Sequence, residues 1–354
     1  MDFMIKLLLS TTILASALSL QAQAAERFYL STWEKSFKSS VKTAADAEKA
    51  LNTSGIEKQY LSLCTDCDNK DAMKQARTVY AKGNYDEAIR LYNEIPRGND
   101  YWMNAVEEKG WAYFRQDDFE KSLAQTKTLL SPQLSETANS EAYLLRSLSL
   151  LKICDYKEIF ANHQNFKEKQ KAKILEIQNL AETGYNDTFK TVILKSEQFP
   201  LDAKELGDGV KHLPTLFFKD KELQKQLLRF KMTAKAQTLI EQDANLNSPK
   251  LLAKVDSLNT EALKQLKNRM KVLAQEETNA NFKIIQKINL VEVEAIQRVH
   301  ADQELTDSSF KKSNFKKTNE DQLVFMDDGN PWIDELDKFE VSSKSCVKGI
   351  RRKM

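Results

Sequence analysis

Hydrophobic positions return every three or four residues along most of this chain, the spacing of a single buried helical face. The first stripe is Phe28, Tyr29, Trp33, Phe37 and Val41, predicting one or two helices between Glu26 and Leu63. Lys221 to about Asp243 reads as a polar helix. Beyond it, Val255, Leu258, Ala262, Leu266 and Met270 form one stripe, and Ile284, Ile288, Val291, Ala295 and Val299 form another. Leu251 to His300 therefore reads as one long helix or a pair, with steps that suit a coiled-coil seam. Glu276 to Asn281 is polar and is the place where that seam would turn. A folded-back antiparallel pair and an extended dimerising rod both fit the pattern; the former suits an exported monomer better. Turn residues cluster between Pro200 and Pro214, around Gly207-Asp208-Gly209, and mark the best domain boundary. After Gln322 the character changes. Leu323 to Met326 reads as a short strand, Asp327 to Pro331 as a turn and Phe339-Glu340-Val341 as a return strand, anchored by Trp332 and Phe339.

Between Asp71 and Ile159 the stripe becomes a repeat. Gly83-Asn84-Tyr85-Asp86-Glu87-Ala88-Ile89 returns as Asp117-Asp118-Phe119-Glu120-Lys121-Ser122-Leu123, and more loosely as Cys154-Asp155-Tyr156-Lys157-Glu158-Ile159. The aromatics Tyr85, Phe119 and Tyr156 stand 34 and 37 residues apart. Nine residues before them lie Ala76, Gly110 and Ser147, all small, where two helices of a hairpin cross closely. Three residues after them come Ala88, Ser122 and Ile159, of which the last departs from the small pattern. Tyr113 holds the aromatic place in the second unit's first helix, and Pro96 and Pro132 fall near the ends of second helices. This register resembles the tetratricopeptide repeat family, clearly in two units and loosely in the third. A fourth, degenerate hairpin is expected from about Lys167 to Phe199, turning at Gly184.

The resemblance implies a tetratricopeptide-like solenoid of helical hairpins; with the apolar stripes and tail pattern that follow it, the expected fold is all-α, the solenoid leading into long coiled-coil-like helices and a small β-hairpin-like tail. The resemblance also implies a concave binding face lined by the first helix of each hairpin. Carried onto this chain, the inward positions are Met73, Arg77 and Tyr80, then Asn104, Glu107, Trp111, Phe114 and Arg115. Glu141, Leu148 and Lys152 follow in the third unit. Arginine and aromatic side chains dominate binding hot spots. The groove lacks the dense basic set that would clamp a terminal carboxylate. The Glu26 to Leu63 helices are expected to cap the first repeat, whose hydrophobic face needs covering.

Met1 to Ala24 reads as a secretory signal, with Lys6, an apolar run from Leu7 to Leu20 and the small-x-small site Ala22-Gln23-Ala24. The run is too short for a permanent membrane span, and no cysteine near the cleavage point offers a lipid anchor. The expected compartment is outside the cytoplasm, in a bacterial periplasm. Expected domains are then 1–24 (signal), 25–68 (cap), 69–200 (array), 215–305 (long helices) and 306–354 (basic linker and tail).

Lys+Arg is 53 against Asp+Glu 51, so no global field draws the chain to nucleic acid. The lysines at 311, 312, 316 and 317, interleaved with Phe310 and Phe315, read as a solvated linker. Cys64, Cys67, Cys154 and Cys346 are an even set, which in an oxidising compartment allows three disulfide connectivities. Cys64-Thr65-Asp66-Cys67 has redox spacing, but no βαβ pattern surrounds it and Asp66 and Asp68 oppose thiolate formation. Cys346 suggests a disulfide fastening the tail, with Cys154 as a candidate partner. The stretch from Pro331 to Leu336, followed by Cys346, resembles the tail of exported tetratricopeptide proteins associated with bacterial gliding machinery, over about 15 residues.

His163, His212 and His300 are scattered singly, so no metal site is expected, and Asp68 stands directly after Cys67 where haem attachment needs a histidine. No nucleophile elbow or phosphate-binding glycine loop occurs, and no catalytic residues or cofactor are expected. The sequence thus predicts a protein-interaction scaffold that holds a partner segment within a cell-envelope assembly. A thiol-redox accessory using Cys64 and Cys67, and a homodimeric envelope rod, are the alternatives.

Overall fold

A computed structural model describes residues 27–61, 67–202, 206–301 and 338–341. Among them the protein is all-α apart from one two-residue strand pairing. The signal-like residues 1–24, the basic stretch 308–317 and the expected strand and turn at 323–331 lie outside the described residues. The chain divides into two compact units that interleave in sequence. Of the described residues, one comprises 27–61, Ser196–Asp202 and Gln224–Ala262; the other takes 67–195, 206–223, 263–301 and 338–341.

The first unit opens with β1 (Phe28–Tyr29), which pairs antiparallel with β2 (Gln198–Phe199). Phe28 and Tyr29, expected to start a helix, are drawn instead into this pairing. Leu30 donates its N–H to Glu197 O at 2.9 Å, and the Phe28 ring packs between Tyr60 and Phe199. The stripe continues into α1 (Leu30–Ser40), where Trp33 and Phe37 are buried, and α2 (Ala44–Ala50) follows with a reciprocal Thr43–Asp46 capping box. After α3 (Ser54–Ile56) and a π-turn at Glu57–Leu61, the unit is completed by α11 (Lys221–Gln242) and the start of α12 (Pro249–Ala301). Asn259 Nδ2 donates to Phe230 O at 3.1 Å and Thr233 Oγ1 at 2.9 Å, tying these two helices together. The partition thus differs from the contiguous one expected, because residues 27–61 find their packing partners almost 200 residues later.

The second unit is built on consecutive helices, each packed on its neighbours: α4 (Cys67–Ala81), α5 (Tyr85–Asn93), α6 (Trp102–Arg115), α7 (Phe119–Leu129), α8 (Ser140–Lys152) and α9 (Tyr156–Thr183). Met73, Ala76, Ala88, Leu91, Tyr92 and Trp102 lie in one buried cluster. The small positions mark the close crossings. A Cβ on Gly110 would sit 2.8 Å from Leu145 Cδ2, and the hydroxyls of Ser122 and Ser149 meet at 3.0 Å inside the stack.

Two expectations change. The degenerate fourth hairpin expected from about Lys167 has no start of its own, because α9 runs unbroken for 28 residues to Thr183. Its turn at Gly184 is real, with φ +69°, and leads into the shorter α10 (Asp187–Lys195). The turn expected in Glu276 to Asn281 does not form, and α12 is a single helix of 53 residues. That stretch holds neither glycine nor proline, and its polar groups have work: Glu277 accepts the Thr215 N–H at 2.6 Å. With no turn there, the folded-back pair centred on those residues is excluded. Of the tail, residues 338–341 are not a return strand. They lie on the second unit, with Val341 in the cluster of Leu123, Tyr156 and Val291 and the Phe339 ring 4.5 Å from Lys127 Nζ. Among the described residues no helix is long and apolar enough to cross a membrane.

Candidate functional site

Three turns of one shape set the orientation of the helices that carry the predicted groove. Gly83, Asp117 and Cys154 all take positive φ, at +80°, +59° and +62°. In each case the next residue caps the following helix: the side chains of Asn84, Asp118 and Asp155 accept the N–H groups of Glu87, Lys121 and Glu158. The aromatic comes next and begins the helix. The two N–H groups at each turn also bond alike, as in Gly83 to Tyr80 O and Asn84 to Val79 O, repeated by Asp117 to Phe114 O and Asp118 to Tyr113 O. The sequence repeat is therefore a repeat of backbone conformation, with a left-handed residue ending one helix and a carboxylate or amide starting the next.

The predicted inward residues of the first two hairpins separate into exposed and committed groups. Arg77 and Arg115 are exposed, and Tyr80, Trp111 and Phe114 are half-buried. Tyr80 meets Tyr85 edge-on at 5.3 Å; one period later, Phe114 meets Phe119 at 5.4 Å and Trp111 at 5.7 Å. Arg77 is held by a bidentate pair with Glu108, with contacts of 2.6–3.0 Å. Tyr92 Oη donates to the same carboxylate at 2.8 Å. That carboxylate pairing holds the Arg77 pKa above its ordinary value. Asn104 accepts from Lys219 Nζ at 3.2 Å, and this ammonium also lies 4.5 Å from the Tyr101 ring centre.

Two predicted groove residues are misplaced. Met73 is 1% exposed and belongs to the core cluster, so it offers nothing to a partner. Glu107 is also buried, and burial, reinforced by Glu141 and Glu108, pushes its pKa up to about 8, against the opposing effects of Asn139 and Lys173. Met73 lies on α4 and Glu107 on α6, and the rotation of each helix turns the side chain away from solvent.

At the third hairpin the same face is covered by the chain itself. Ile288 lies in one buried cluster with Tyr143, Leu144 and Phe166, against which Leu148 and Ile284 pack. Val291 and Ala295 join Leu150, Leu151 and Ile159 in another. Glu141 sits in this region with its pKa raised by burial, opposed by the Trp111 indole and Lys287. The Trp111 Nε1 itself is buried and finds no partner in hydrogen-bonding geometry. His163, almost fully buried, has Nδ1 3.1 Å from Glu292 on α12. Burial lowers its pKa, with that carboxylate opposing. The stripe predicted as a coiled-coil seam is therefore used, but against α8 and α9.

Cys154 is disulfide-bonded. Cys64, Cys346 and the side chain of Cys67 lie outside the described residues. Among the described residues no three His, Cys, Asp or Glu side chains gather as a metal site requires. The residues missed at the sequence level are the partners, Glu108, Lys219 and Lys173. For Lys173 a signal existed, since it interrupts the apolar spacing Phe166, Ile177, Leu180 at a buried position of α9. Comparison with protein-family models, with curated proteins and with solved structures found no match.

Proposed function

We propose that this chain is an exported interaction scaffold of the tetratricopeptide type, in which the first two hairpins bind a segment of a partner protein in the cell envelope. The observation that carries the reading is the three-fold recurrence of the same turn, a left-handed residue, a capping side chain and an aromatic, at residues 83–85, 117–119 and 154–156. Repeats of this kind stack to present a preformed face, and such a face recognises a segment without chemistry. The binding set is Tyr80, Trp111, Phe114 and Arg115, with Arg77 oriented by Glu108. The signal-like pattern of 1–24 and the disulfide at Cys154 both favour an oxidising compartment such as the periplasm.

The test is photocrosslinking in the native envelope, with a photoreactive residue at position 115 or at position 148. The probe at 115 is expected to trap a defined partner, and the probe at 148 only the chain's own α12. Loss of the partner in Trp111→Ala, with helicity unchanged, supports the groove. An unchanged partner in that variant, or no product from position 115, would overturn it.

A further inference from the structure

A cavity of about 260 Å³ lies in the second unit, walled by the first turn of α8, by α9, by Thr215 and Leu216, and by α12. It is slightly smaller than the roughly 300–1,000 Å³ of small-molecule sites. Two of its buried polar side chains are unpaired among the described residues. Lys173 and Asn281 each line the cavity and are only 8% exposed. Among the described residues, Lys173 has neither a hydrogen-bond nor an ion-pair partner, and it feels Glu277 and Glu107 only at longer range. Asn281 likewise has no described partner. Buried donors of this kind are unfavourable unless something supplies acceptors. Beside them α8 starts at Ser140 without a side-chain cap from Asn139, and its first two residues, Ser140 and Glu141, line the cavity, while the Ala142 N–H bonds Asn139 O at 3.1 Å.

The other features define the rest of a ligand. Leu273, Glu277, Asn281 and Ile284 follow one another at helical spacing along one face of α12. Glu277 accepts the Thr215 N–H at 2.6 Å, and Glu276 and Glu141 add two further carboxylates. Leu216, Leu273 and Ile284 form an aliphatic wall. Three carboxylates, Glu141, Glu276 and Glu277, line the cavity beside the single Lys173 ammonium; they disfavour a multivalent anion and favour a molecule that brings a positive charge together with a carboxylate for Lys173.

We propose that this cavity binds a small aliphatic α-amino acid. Its carboxylate takes the donors of Lys173, Asn281 and the α8 start, its ammonium faces Glu276 and Glu277, and its side chain lies on Leu216, Leu273 and Ile284. The site is distinct from the partner face of the first two hairpins and does not rest on that reading.

Calorimetric titration of the full chain with L-leucine tests it, with leucinamide, N-acetyl-leucine and inorganic phosphate as comparators. Saturable leucine binding is expected, at least tenfold tighter than for either one-ended analogue, with no phosphate binding. Lys173→Met is expected to reduce leucine affinity tenfold or more without lowering the melting temperature, because it removes a buried unpaired charge. Asn281→Leu removes the second buried donor and is expected to reduce leucine affinity tenfold or more. Absence of leucine binding, equal binding of phosphate or N-acetyl-leucine, or undiminished binding in both folded variants would overturn the proposal. The comparator pattern on the unmodified chain decides the matter even if a variant fails to fold.

Discussion

The first two hairpins and the third share one turn conformation at spacings of 34 and 37 residues, yet in the third part of the inner face is covered by α12. In the first two, Tyr80, Phe114 and Arg115 remain wholly or partly accessible. In the third, Leu148 packs into clusters with Ile288 and Val291 of α12. The difference teaches that a repeat specifies a surface but not its occupant. Whatever lies over it depends on chain more than 100 residues away. Within the second unit α12 acts as a built-in ligand for the third hairpin, and the accessible face is shortened by that amount.

The largest expected effect comes from displacing that helix. Gly184 ends α9 at φ +69°, and a Cβ there would lie 2.3 Å from the backbone oxygen of Lys267. Gly184→Val is expected to destabilise the second unit by about 3–5 kcal/mol, combining left-handed strain with a backbone clash. A urea midpoint measures it, and a loss below 1 kcal/mol would mean that α12 does not lie against this turn.

The next test uses the two sides of α12. Ile288→Ala, at a position 2% exposed, is expected to cost about 2–4 kcal/mol. Phe282→Ala, at a position 60% exposed, should stay within about 0.5 kcal/mol. If Phe282→Ala proves as costly as Ile288→Ala, the outer face is also covered, and the contrast between the two sides fails.

A smaller, pH-dependent effect separates the hairpins electrostatically. Glu107 in the second hairpin has a folded-state pKa near 8, above its ordinary value of 4.5. The folded state therefore holds this proton more tightly. The associated stability is fully present below about pH 4.5 and is lost as pH rises through 8. Glu107→Gln should raise the melting temperature at pH 8 relative to the parent and bring little change at pH 4. His163 at the third hairpin has the opposite sign. Its folded pKa lies below 6.5, so its contribution is lost as pH falls through the folded value. His163→Gln should accordingly flatten the acid side of the same melting profile.

The smallest effect concerns the turns themselves. Asp117 adopts φ +59°, where the first turn has Gly83. Asp117→Gly is expected to stabilise by about 0.5–1 kcal/mol, whereas Asp118→Ala, losing the cap on Lys121 N–H, should destabilise by about 1 kcal/mol. Both are read from denaturant midpoints, and the same sign for the two would show that the turn is not organised this way.

Much of the second unit was legible because its determinants are local. A capping residue, an aromatic and a small residue at a helix crossing act within one hairpin, so Asn84, Tyr85 and Ala76 signal their roles in sequence. The candidate face was legible only in part. Helix register leads to exposed Arg77 and Arg115, while Phe114 is half-buried against Trp111 and Phe119. It could not see that Met73 and Glu107 turn inward, since a rotation of about one residue moves a side chain by 100° around the axis. Glu108 carries no local mark at all, and it matters because Arg77, 31 residues earlier, reaches it.

The sequence by itself determined the all-α class, the helical spacing, the positions of the three turns and the apolar stripe of α12. Each follows from propensity and periodicity over fewer than about 40 residues. Only the tertiary structure decided that residues 27–61 pack with Gln224–Ala262, that α12 stays unbroken through Glu276 to Asn281, and that its stripe meets α8 and α9. An apolar stripe states that something must cover it, but hydrophobic burial is non-directional and does not name the partner.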